Sequence, residues 1–266
     1  MKPLVRTQEE YLRRLRRERF LVHLIRILIF AALVAAWELA ARRGYIDAFV
    51  TSSPSRLWDC FRSLMASGTL LHHIRITVAE TLLSFALVMG IALLLSILLW
   101  WFPVLSRIFE PYLVVLNSLP KSALAPVFIV WFGNNMKTII IAAVSVAVFG
   151  ATMTLYHSFC QMEPDKIKLI YTLGGKKSDV LLHLILPGNI GTLLNVSKTN
   201  LGLSLVGVII GEFLASTAGL GYLIIYGSQV FKLDIVLLAI VLLCILATLL
   251  YLLLSMAEKL YERRIR

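Results

Sequence analysis

The stretch Ile235–Ala257 reads IVLLAIVLLCILATLLYLLLSMA and contains no charged residue. A helix needs about 20 mainly apolar residues to cross the hydrocarbon layer, which is about 30 Å thick, because each residue adds about 1.5 Å. Each Leu, Ile, Val or Phe contributes roughly −0.3 to −0.6 kcal/mol to insertion at the centre of the helix. The stretch therefore predicts a membrane-spanning helix.

Five further apolar runs precede this one. They are about Phe20–Ala41, Ile76–Trp101, Phe109–Trp131, Lys137–His157 and Val196–Phe213. The run that begins at Phe109 is interrupted by Pro120, Lys121 and Pro126, and proline bends or breaks a helix. We expect these two prolines to make it a discontinuous element beside a pathway. The sequence thus predicts an all-α, polytopic membrane protein with six transmembrane helices.

The composition supports the same class. Of the 266 residues, 59% are hydrophobic and 15% are charged, and the mean hydropathy is +0.85. A soluble domain is usually near half apolar and a quarter charged, so one globular core of this size could not hide the excess. The cysteines and histidines show no metal-ligand spacing, and we expect no metal site.

The net charge of +11 follows the membrane spans rather than forming a nucleic-acid surface, and no nucleic-acid-binding fold signature accompanies it. Seven basic residues lie between Lys2 and Arg19, and four more close the chain. With the N-terminus inside, seventeen basic residues fall on the inner side and seven on the outer side. The positive-inside rule therefore predicts that both termini are cytoplasmic. The first apolar run is too long for a cleavable signal core, so we expect it to remain as an anchor.

The predicted domain organisation is simple. Residues 1–19 form a basic N-terminal segment in the cytoplasm, and residues 20–266 form the transmembrane domain. That domain includes a cytoplasmic loop over residues 158–195. The outer segment Arg42–Arg75 has a turn at Thr51–Pro54, and an amphipathic stretch over Ser55–Met65 is expected to lie on the outer surface.

The cytoplasmic loop carries the most informative residues. Between Pro164 and Pro187 it reads PDKIKLIYTLGGKKSDVLLHLILP. Proline followed by Asp165 is typical of a helix start, and Gly174-Gly175 breaks or bends a helix. A second helix is expected from about Lys176, with Val180, Leu181, Leu184 and Ile185 at helical spacing, ending before Pro187. Such a projection suits a groove on a partner protein, although an ordinary basic loop that contains helix remains an alternative.

This loop also carries a family resemblance. Gly174 is followed after nine residues by Leu184, Leu186 and Pro187, which resembles the second half of the conserved loop of ABC importer permeases, Gly–nine residues–Ile-x-Leu-Pro. Within that group the chain is similar to the nitrate, taurine and alkanesulfonate permeases. The further matches are Ser53-Pro54, His73, Leu119-Pro120-x-x-Ala123-x-x-Pro126, Trp131-Phe132-Gly133, Thr172-Leu173, Glu212 and Gly219-Leu220-Gly221.

The resemblance implies a type I ABC importer permease fold and a transport function. The expected partners are a second permease copy, a cytoplasmic ABC ATPase dimer whose clefts receive the loops, an external solute-binding protein and membrane lipid. The transported solute would be small and polar, such as a sulfonate, taurine, nitrate or a vitamin precursor. The expected location is the bacterial cytoplasmic membrane.

The chain is not expected to be an enzyme or to bind a cofactor. Gly174–Ser178 superficially matches a phosphate loop, but that motif needs a Gly separated from Gly-Lys by four residues, and Ser or Thr directly after the lysine. Position 170 is Ile and position 177 is Lys, so the motif fails. ATP and magnesium are therefore expected on the partner ATPase subunits.

The resemblance also implies which residues couple transport to the ATPase. They are Asp165, Lys168, Tyr171, Thr172, Leu173, Gly174, Gly175, Lys176, Leu186 and Pro187. The family loop usually opens with Glu-Ala-Ala six residues before its glycine, whereas Lys168, Leu169 and Ile170 occupy those positions here. Lys168 would favour an acidic spot on the partner. Gly175 replaces the commoner alanine and is expected to loosen the joint.

Pathway residues are predicted mainly in the fifth span. The candidates for the pathway or its gate are Thr199, Asn200, Ser204, Glu212 and Pro120. A charged carboxylate at the centre of a membrane helix costs about 2.5–3.5 kcal/mol, so Glu212 should face protein or water. Glu212 could line the pathway, form a hydrogen bond at a gate, or hold two helices together. Thr199, Asn200 and Ser204 could likewise line the pathway or form hydrogen bonds between helices. Glu80 is expected near a span end, where solvation costs little, while Gly202, Gly207 and Gly211 would allow close helix contact.

Two other classes of protein remain alternatives. A secondary transporter driven by an ion gradient would usually show inverted halves and more ionisable residues inside its spans, where Glu212 is the main candidate. An integral membrane enzyme would present clustered His, Asp or Glu at a membrane edge, and the sequence shows no such cluster.

Overall fold

The computed structural model describes residues 8–47 and 51–265, and within these ranges it contains helices and no strand. The all-α prediction is confirmed. The elements are α1 (Gln8–Arg42), α2 (Pro54–Ala66), α3 (Thr69–Trp101), α4 (Pro103–Ser118), α5 (Lys121–Phe132), α6 (Met136–Cys160), α7 (Pro164–Thr172), α8 (Lys177–Val180), a π-helical turn (Leu181–Ile185), α9 (Leu186–Gly188), α10 (Ile190–Ala215), α11 (Leu220–Gln229) and α12 (Leu233–Ile265).

Among the described residues, five helices are long and apolar enough to cross a membrane. They are Phe20–Arg42 within α1, the helices α3, α6 and α10, and Leu233–Leu260 within α12. The pair α4–α5, bent by 95°, provides a sixth crossing if the two helices count as one span. The predicted boundary between residues 19 and 20 falls inside α1, and residues 1–7 lie outside the described part of the chain.

The bent pair explains why the third predicted span is discontinuous. Leu119 is extended (φ −64°, ψ 140°), as expected for a residue before proline, and Pro120 precedes the first residue of α5. Pro126 lies inside α5 without interrupting it. The break predicted from both prolines therefore occurs at Pro120 alone.

Small residues bring α10 against α6. A Cβ atom added at Gly207 would lie 2.5 Å from the Cα of Ala143, and one at Gly211 would lie 2.9 Å from the Cγ2 of Ile139. These glycines therefore allow the close helix contact that was predicted. Gly202 has no such neighbour within 4 Å and is exposed, so it does not serve this purpose within the chain.

The second half of the predicted cytoplasmic loop is part of the core. Val180, Leu181 and Ile185 are buried in one cluster with Leu155 and Phe159 of α6, and residues of α3 belong to the same cluster. A second cluster joins residues of α3, α10, α11 and α12. The loop after the glycine joint is therefore fixed to the transmembrane helices by apolar burial.

The helix α2 is joined to the start of α12. Ser53 caps its N-terminus, and Pro54 occupies its first turn. The Ser52 hydroxyl donates to the Asp234 carboxylate at 2.6 Å, and the Arg56 guanidinium lies 2.8 Å from the same group. The predicted amphipathic stretch is thus a helix packed against the start of α12.

Candidate functional site

The first helix of the predicted cytoplasmic loop, α7, contributes no buried residue, and all of its residues are exposed except Ile167 and Ile170, which are half-buried against the core. Its apolar side chains Leu169 and Tyr171 are 59% and 49% exposed, and Leu173 just beyond its end is 79% exposed. Apolar groups presented together on a segment outside the spans mark a contact surface for another protein. We call the whole stretch Pro164–Pro187 the coupling segment.

The joint after α7 requires glycine. The Thr172 hydroxyl donates to the carbonyl of Leu169 at 2.8 Å, which satisfies one of the last carbonyls of the helix. Gly174 then adopts φ +83°, and the N–H of Gly175 donates to the carbonyl of Ile170 at 2.9 Å. A left-handed residue of this kind is the usual way to end a helix and turn the chain.

Gly175 leaves room for the Ile170 side chain at the joint, and the expectation that it loosens the joint stays a prediction. A Cβ atom at this position would lie 2.5 Å from the Cγ2 of Ile170 and 2.9 Å from its carbonyl oxygen. The family pattern places alanine at both positions, whereas this chain combines a larger residue at 170 with a smaller one at 175. The Ile170 side chain therefore occupies the space that an alanine methyl at 175 would need.

The predicted end of the second loop helix before Pro187 is also wrong. The Asp179 carboxylate accepts the N–H of Lys176 at 2.6 Å and starts α8, but helix continues through the π-helical turn into α9 (Leu186–Gly188). The N–H of Leu186 bonds to the carbonyl of Leu181, five residues earlier. This wider turn places Pro187 in the first turn of the next segment, where its missing N–H costs little.

The other predicted coupling residues divide between two places. Asp165 and Lys168 are exposed on α7 and form an ion pair of 3.4 Å with each other, a surface pair of little energetic value. Lys176 is exposed at the start of α8, Leu186 is half-buried against the inner core, and Pro187 is exposed. The coupling segment thus has one exposed part, α7 with its glycine joint, and one part that packs against the membrane-spanning helices.

A polar cavity of about 400 Å³ lies between α4, α6 and α10. Its polar lining residues are Asn117, Thr154, Thr192, Asn195, Thr199 and Asn200. The Asn200 amide donates to the carbonyl of Val196 at 2.8 Å, and its oxygen has no hydrogen-bond partner among the described residues. Two of the five predicted pathway residues, Thr199 and Asn200, therefore meet at one cavity.

Four of these polar groups, Asn117, Thr154, Thr192 and Asn195, were not predicted from the sequence. Thr192, Asn195 and Thr199 are spaced as one face of a helix, so helical periodicity could have identified them. Asn117 and Thr154 come from other helices, and only tertiary packing brings them near. Ser204 and Pro120 do not line the cavity: Ser204 is fully buried, and Pro120 lies at the bend between α4 and α5.

Glu212 does not line a pathway within this chain. It is 1% exposed, and its carboxylate accepts the Thr77 hydroxyl at 2.7 Å and the N–H of Gly221 at 2.5 Å. The N–H of Tyr222 bonds to the same carboxylate. Glu212 thus satisfies amides at the N-terminus of α11, where a negative charge also complements the helix dipole. In this conformation Glu212 is enclosed by protein, so its hydrogen bonds agree with the helix-pairing interpretation, while a role in hydrogen bonding at a gate stays a prediction.

Two residues of α3 complete the arrangement. The Thr77 hydroxyl accepts the N–H of Leu220 at 2.8 Å, and Nδ1 of His73 accepts the N–H of Gly219 at 3.0 Å. Gly219 has φ +118°, and a Cβ atom there would lie 2.3 Å from the Glu212 carboxyl carbon. We call His73, Thr77 and Glu212 the outer clamp, because together they hold the turn that begins α11.

The expectation that Glu80 lies where solvation costs little is wrong. Its side chain is 2% exposed and hydrogen-bonds with the Glu212 carboxyl group. The reason is that α3 begins at Thr69, seven residues before the predicted start of the span at Ile76. Glu80 is therefore about three turns inside the helix rather than near its end.

The family comparison agrees with this architecture. A family model described as "Binding-protein-dependent transport system inner membrane component" matches residues 83–266. The formylaminopyrimidine transport permease protein ThiX of Halalkalibacterium halodurans is 29% identical over 199 residues, which cover 73% of this chain and 77% of that protein. The putative aliphatic sulfonates transport permease protein SsuC of Bacillus subtilis is 26% identical, with 76% and 74% covered.

A more distant relative and a solved structure extend the comparison. The taurine transport system permease protein TauC of Escherichia coli is 24% identical over 83% of this chain and 82% of that protein. A chain of the inward-facing MetNI methionine ABC transporter has the same fold, with a TM-score of 0.63, 19% sequence identity, and 74% of this chain and 96% of that chain covered. Since the family model covers more than half of the sequence and the fold agrees, the chain belongs to the binding-protein-dependent transport system inner membrane components and is a membrane-spanning permease subunit of an ABC importer.

Proposed function

We propose that this chain forms, with a second copy of itself, the pathway for a small polar solute, and that a separate ABC ATPase dimer supplies the energy. The observation that carries the proposal is the exposed apolar part of the coupling segment, above all Leu173. Its neighbouring joint is fixed by Gly174 and packed against Ile170, so the tip can transmit force as a rigid unit. ATP and magnesium belong to the partner in this proposal, and the chain itself binds no cofactor.

The proposed topology places both termini and the coupling segment in the cytoplasm. The distribution of basic residues supports this orientation, since seventeen lie on the inner side and seven on the outer side. An external binding protein would deliver solute to the opposite face. Closure of the ATPases around ATP would move the coupling segments and switch the pathway between its two orientations, a rigid-body change driven by differential binding.

The proposed solutes are sulfonates, taurine, nitrate or heterocyclic vitamin precursors. Three of the relatives carry aliphatic sulfonates, taurine or formylaminopyrimidine in their names, which supports this class. The polar cavity fits a pathway for such solutes, because its amide and hydroxyl groups can exchange hydrogen bonds with a polar molecule without holding a fixed charge. Thr199 and Asn200 are the proposed contacts.

The test is to purify the native complex in its membrane, reconstitute it and measure ATP hydrolysis and solute uptake with the binding protein added. We expect hydrolysis to rise with one solute of the proposed class. Leu173→Asp should remove ATPase association and uptake, because it places a charge in an apolar contact. Gln161→Glu is the matched control, since it adds a charge at an exposed position of the same loop outside the coupling segment.

Two results would contradict the proposal. Uptake by the chain without any ATPase, driven by an ion gradient, would support the secondary-transporter alternative. Reaction of a Leu173→Cys variant with a membrane-impermeant maleimide in right-side-out vesicles would place the coupling segment on the wrong side of the membrane.

A further inference from the structure

Lys177 joins the coupling segment to the inner end of α3. It is the first residue of α8, and its ammonium group donates to the carbonyl oxygen of Trp101 at 2.5 Å. The same group lies 5.3 Å from the ring centroid of Trp100 and 5.4 Å from that of Trp101. A cation–π contact is favourable within about 6 Å of a ring, so one ammonium makes three favourable contacts at this point.

The helix end strengthens this contact. Trp101 is the last residue of α3, and the last carbonyls of a helix have no donor within the helix. They also form the negative end of the helix dipole, which favours a cation. Lys177 therefore satisfies a group that the fold leaves open, and we call Lys177, Trp100 and Trp101 the inner latch.

The other end of α3 holds the outer clamp. The helix contains 33 residues and is about 50 Å long. Near its start, His73 and Thr77 accept the N–H groups of Gly219 and Leu220. One continuous helix thus contacts the coupling segment at its inner end and the turn before α11 at its outer end.

We propose that Lys177 is a positioning residue that transmits displacement of the coupling segment to α3 and, through the outer clamp, to the turn Ser216–Gly219. This inference rests on the proposed function, in which the coupling segment docks on an ATPase. Val180 and Ile185 also hold the segment against the core, but apolar contact is non-directional. The inner latch instead fixes α8 to one carbonyl group, and so it sets the position of the segment along the axis of α3.

The test measures movement of the outer turn without needing the solute. In a background where Cys60, Cys160 and Cys244 are replaced by serine, Thr217→Cys at the exposed turn is labelled with a membrane-impermeant maleimide. The labelling rate of the whole complex in liposomes is compared with and without ATP and vanadate. We expect a nucleotide-dependent change in this rate.

Variants of the inner latch should distinguish a role in transmitting movement from a role in assembling the complex with the ATPase. Lys177→Met keeps the apolar stem but removes the charge, and we expect it to reduce the nucleotide-dependent change about 2- to 30-fold, the range found for residues that couple distant sites. Lys177→Arg should preserve the change, since a guanidinium can make the same contacts. Lys259→Met, which removes an exposed lysine of α12, is the matched control and should match the unaltered chain.

Three outcomes would overturn the inference. A full nucleotide response in Lys177→Met would show that the latch does not transmit movement, and loss of the ATPase from that variant would show that Lys177 acts in docking instead. If Lys177→Met fails to insert, Trp101→Leu provides the second variant: it removes one of the two cation–π contacts but keeps the carbonyl acceptor, and it should reduce the response partially. A complex that hydrolyses ATP without any response at Thr217→Cys would contradict transmission to the outer turn, whereas a chain with no associated ATPase would contradict the proposed function itself.

Discussion

Replacement of Thr77 by valine should weaken the outer clamp while preserving the shape of the side chain. The Thr77 hydroxyl donates to Glu212 at 2.7 Å and accepts the N–H of Leu220 at 2.8 Å, and the residue is fully buried. Valine has nearly the same volume but can neither donate nor accept a hydrogen bond. The variant therefore leaves a buried N–H without a partner and removes one donor from a buried carboxylate.

The expected loss follows from these two bonds. Hydrogen bonds between membrane helices contribute about 0.6 kcal/mol on average and up to about 1.7 kcal/mol, because the unfolded chain in the membrane also finds partners. Two such bonds give a decrease of about 1–3 kcal/mol in the free energy of unfolding. Thr77→Ser keeps the hydroxyl and should lose less than about 1 kcal/mol, mainly from one methyl group.

Thr81 offers a matched control on the same helix. It is also fully buried, but its hydroxyl donates only to the carbonyl of Thr77 within α3, at 2.7 Å. Thr81→Val should therefore change the free energy of unfolding by less than about 0.5 kcal/mol, since such back-bonding does not stabilise a helix. The measurement is equilibrium unfolding in mixed micelles with increasing dodecyl sulfate, followed by tryptophan fluorescence.

The comparison refutes the role of the clamp in either of two cases. One is that Thr77→Val and Thr81→Val unfold at the same detergent fraction. The other is that Thr77→Ser is as destabilised as Thr77→Val, because the effect would then come from packing and not from the hydroxyl.

Three further outcomes are expected. Gly174→Pro should abolish solute-stimulated ATP hydrolysis and uptake while leaving membrane insertion intact, because proline cannot adopt φ +83°; normal uptake would contradict the proposed joint. Gly175→Ala should lower the free energy of unfolding by about 1–3 kcal/mol through overpacking, measured by the same unfolding assay, and should cost clearly less when it is made in an Ile170→Ala background; strictly additive effects would contradict the contact. Burial, with the nearby Asp234 charge, raises the pKa of the Cys60 thiol. At pH 7.5 this thiol should therefore react with maleimide more slowly than a cysteine introduced at exposed Ser67, and its reaction rate should rise with pH. Equal rates at the two positions would show that Cys60 is not shielded.

The contacts of Glu212 with two glycines show why three of the family-matching residues occur together. Gly219 and Gly221 are close to Glu212 in sequence, and the sequence analysis recorded all three as family matches. Their relation is geometric, because a side chain at either glycine would collide with the Glu212 carboxyl group. The carboxylate is needed there because the first amides of α11 have no partner in their own helix. A carboxylate in a span therefore caps the start of a neighbouring helix in this structure.

The amino-acid sequence alone determined the membrane class, the approximate spans, the discontinuity of the third span and the family, whereas the structure placed the break at Pro120. These properties depend on local composition and on ordered motifs, and the hydrophobic run Ile235–Ala257 is apolar whatever surrounds it. Only the tertiary structure decided which polar groups meet: Glu80 with Glu212, Asn117 with Asn200, and Lys177 with the end of α3. The physical reason is that a hydrogen bond or a steric overlap depends on distances of a few ångströms between helices far apart in sequence, and helix packing alone sets those distances.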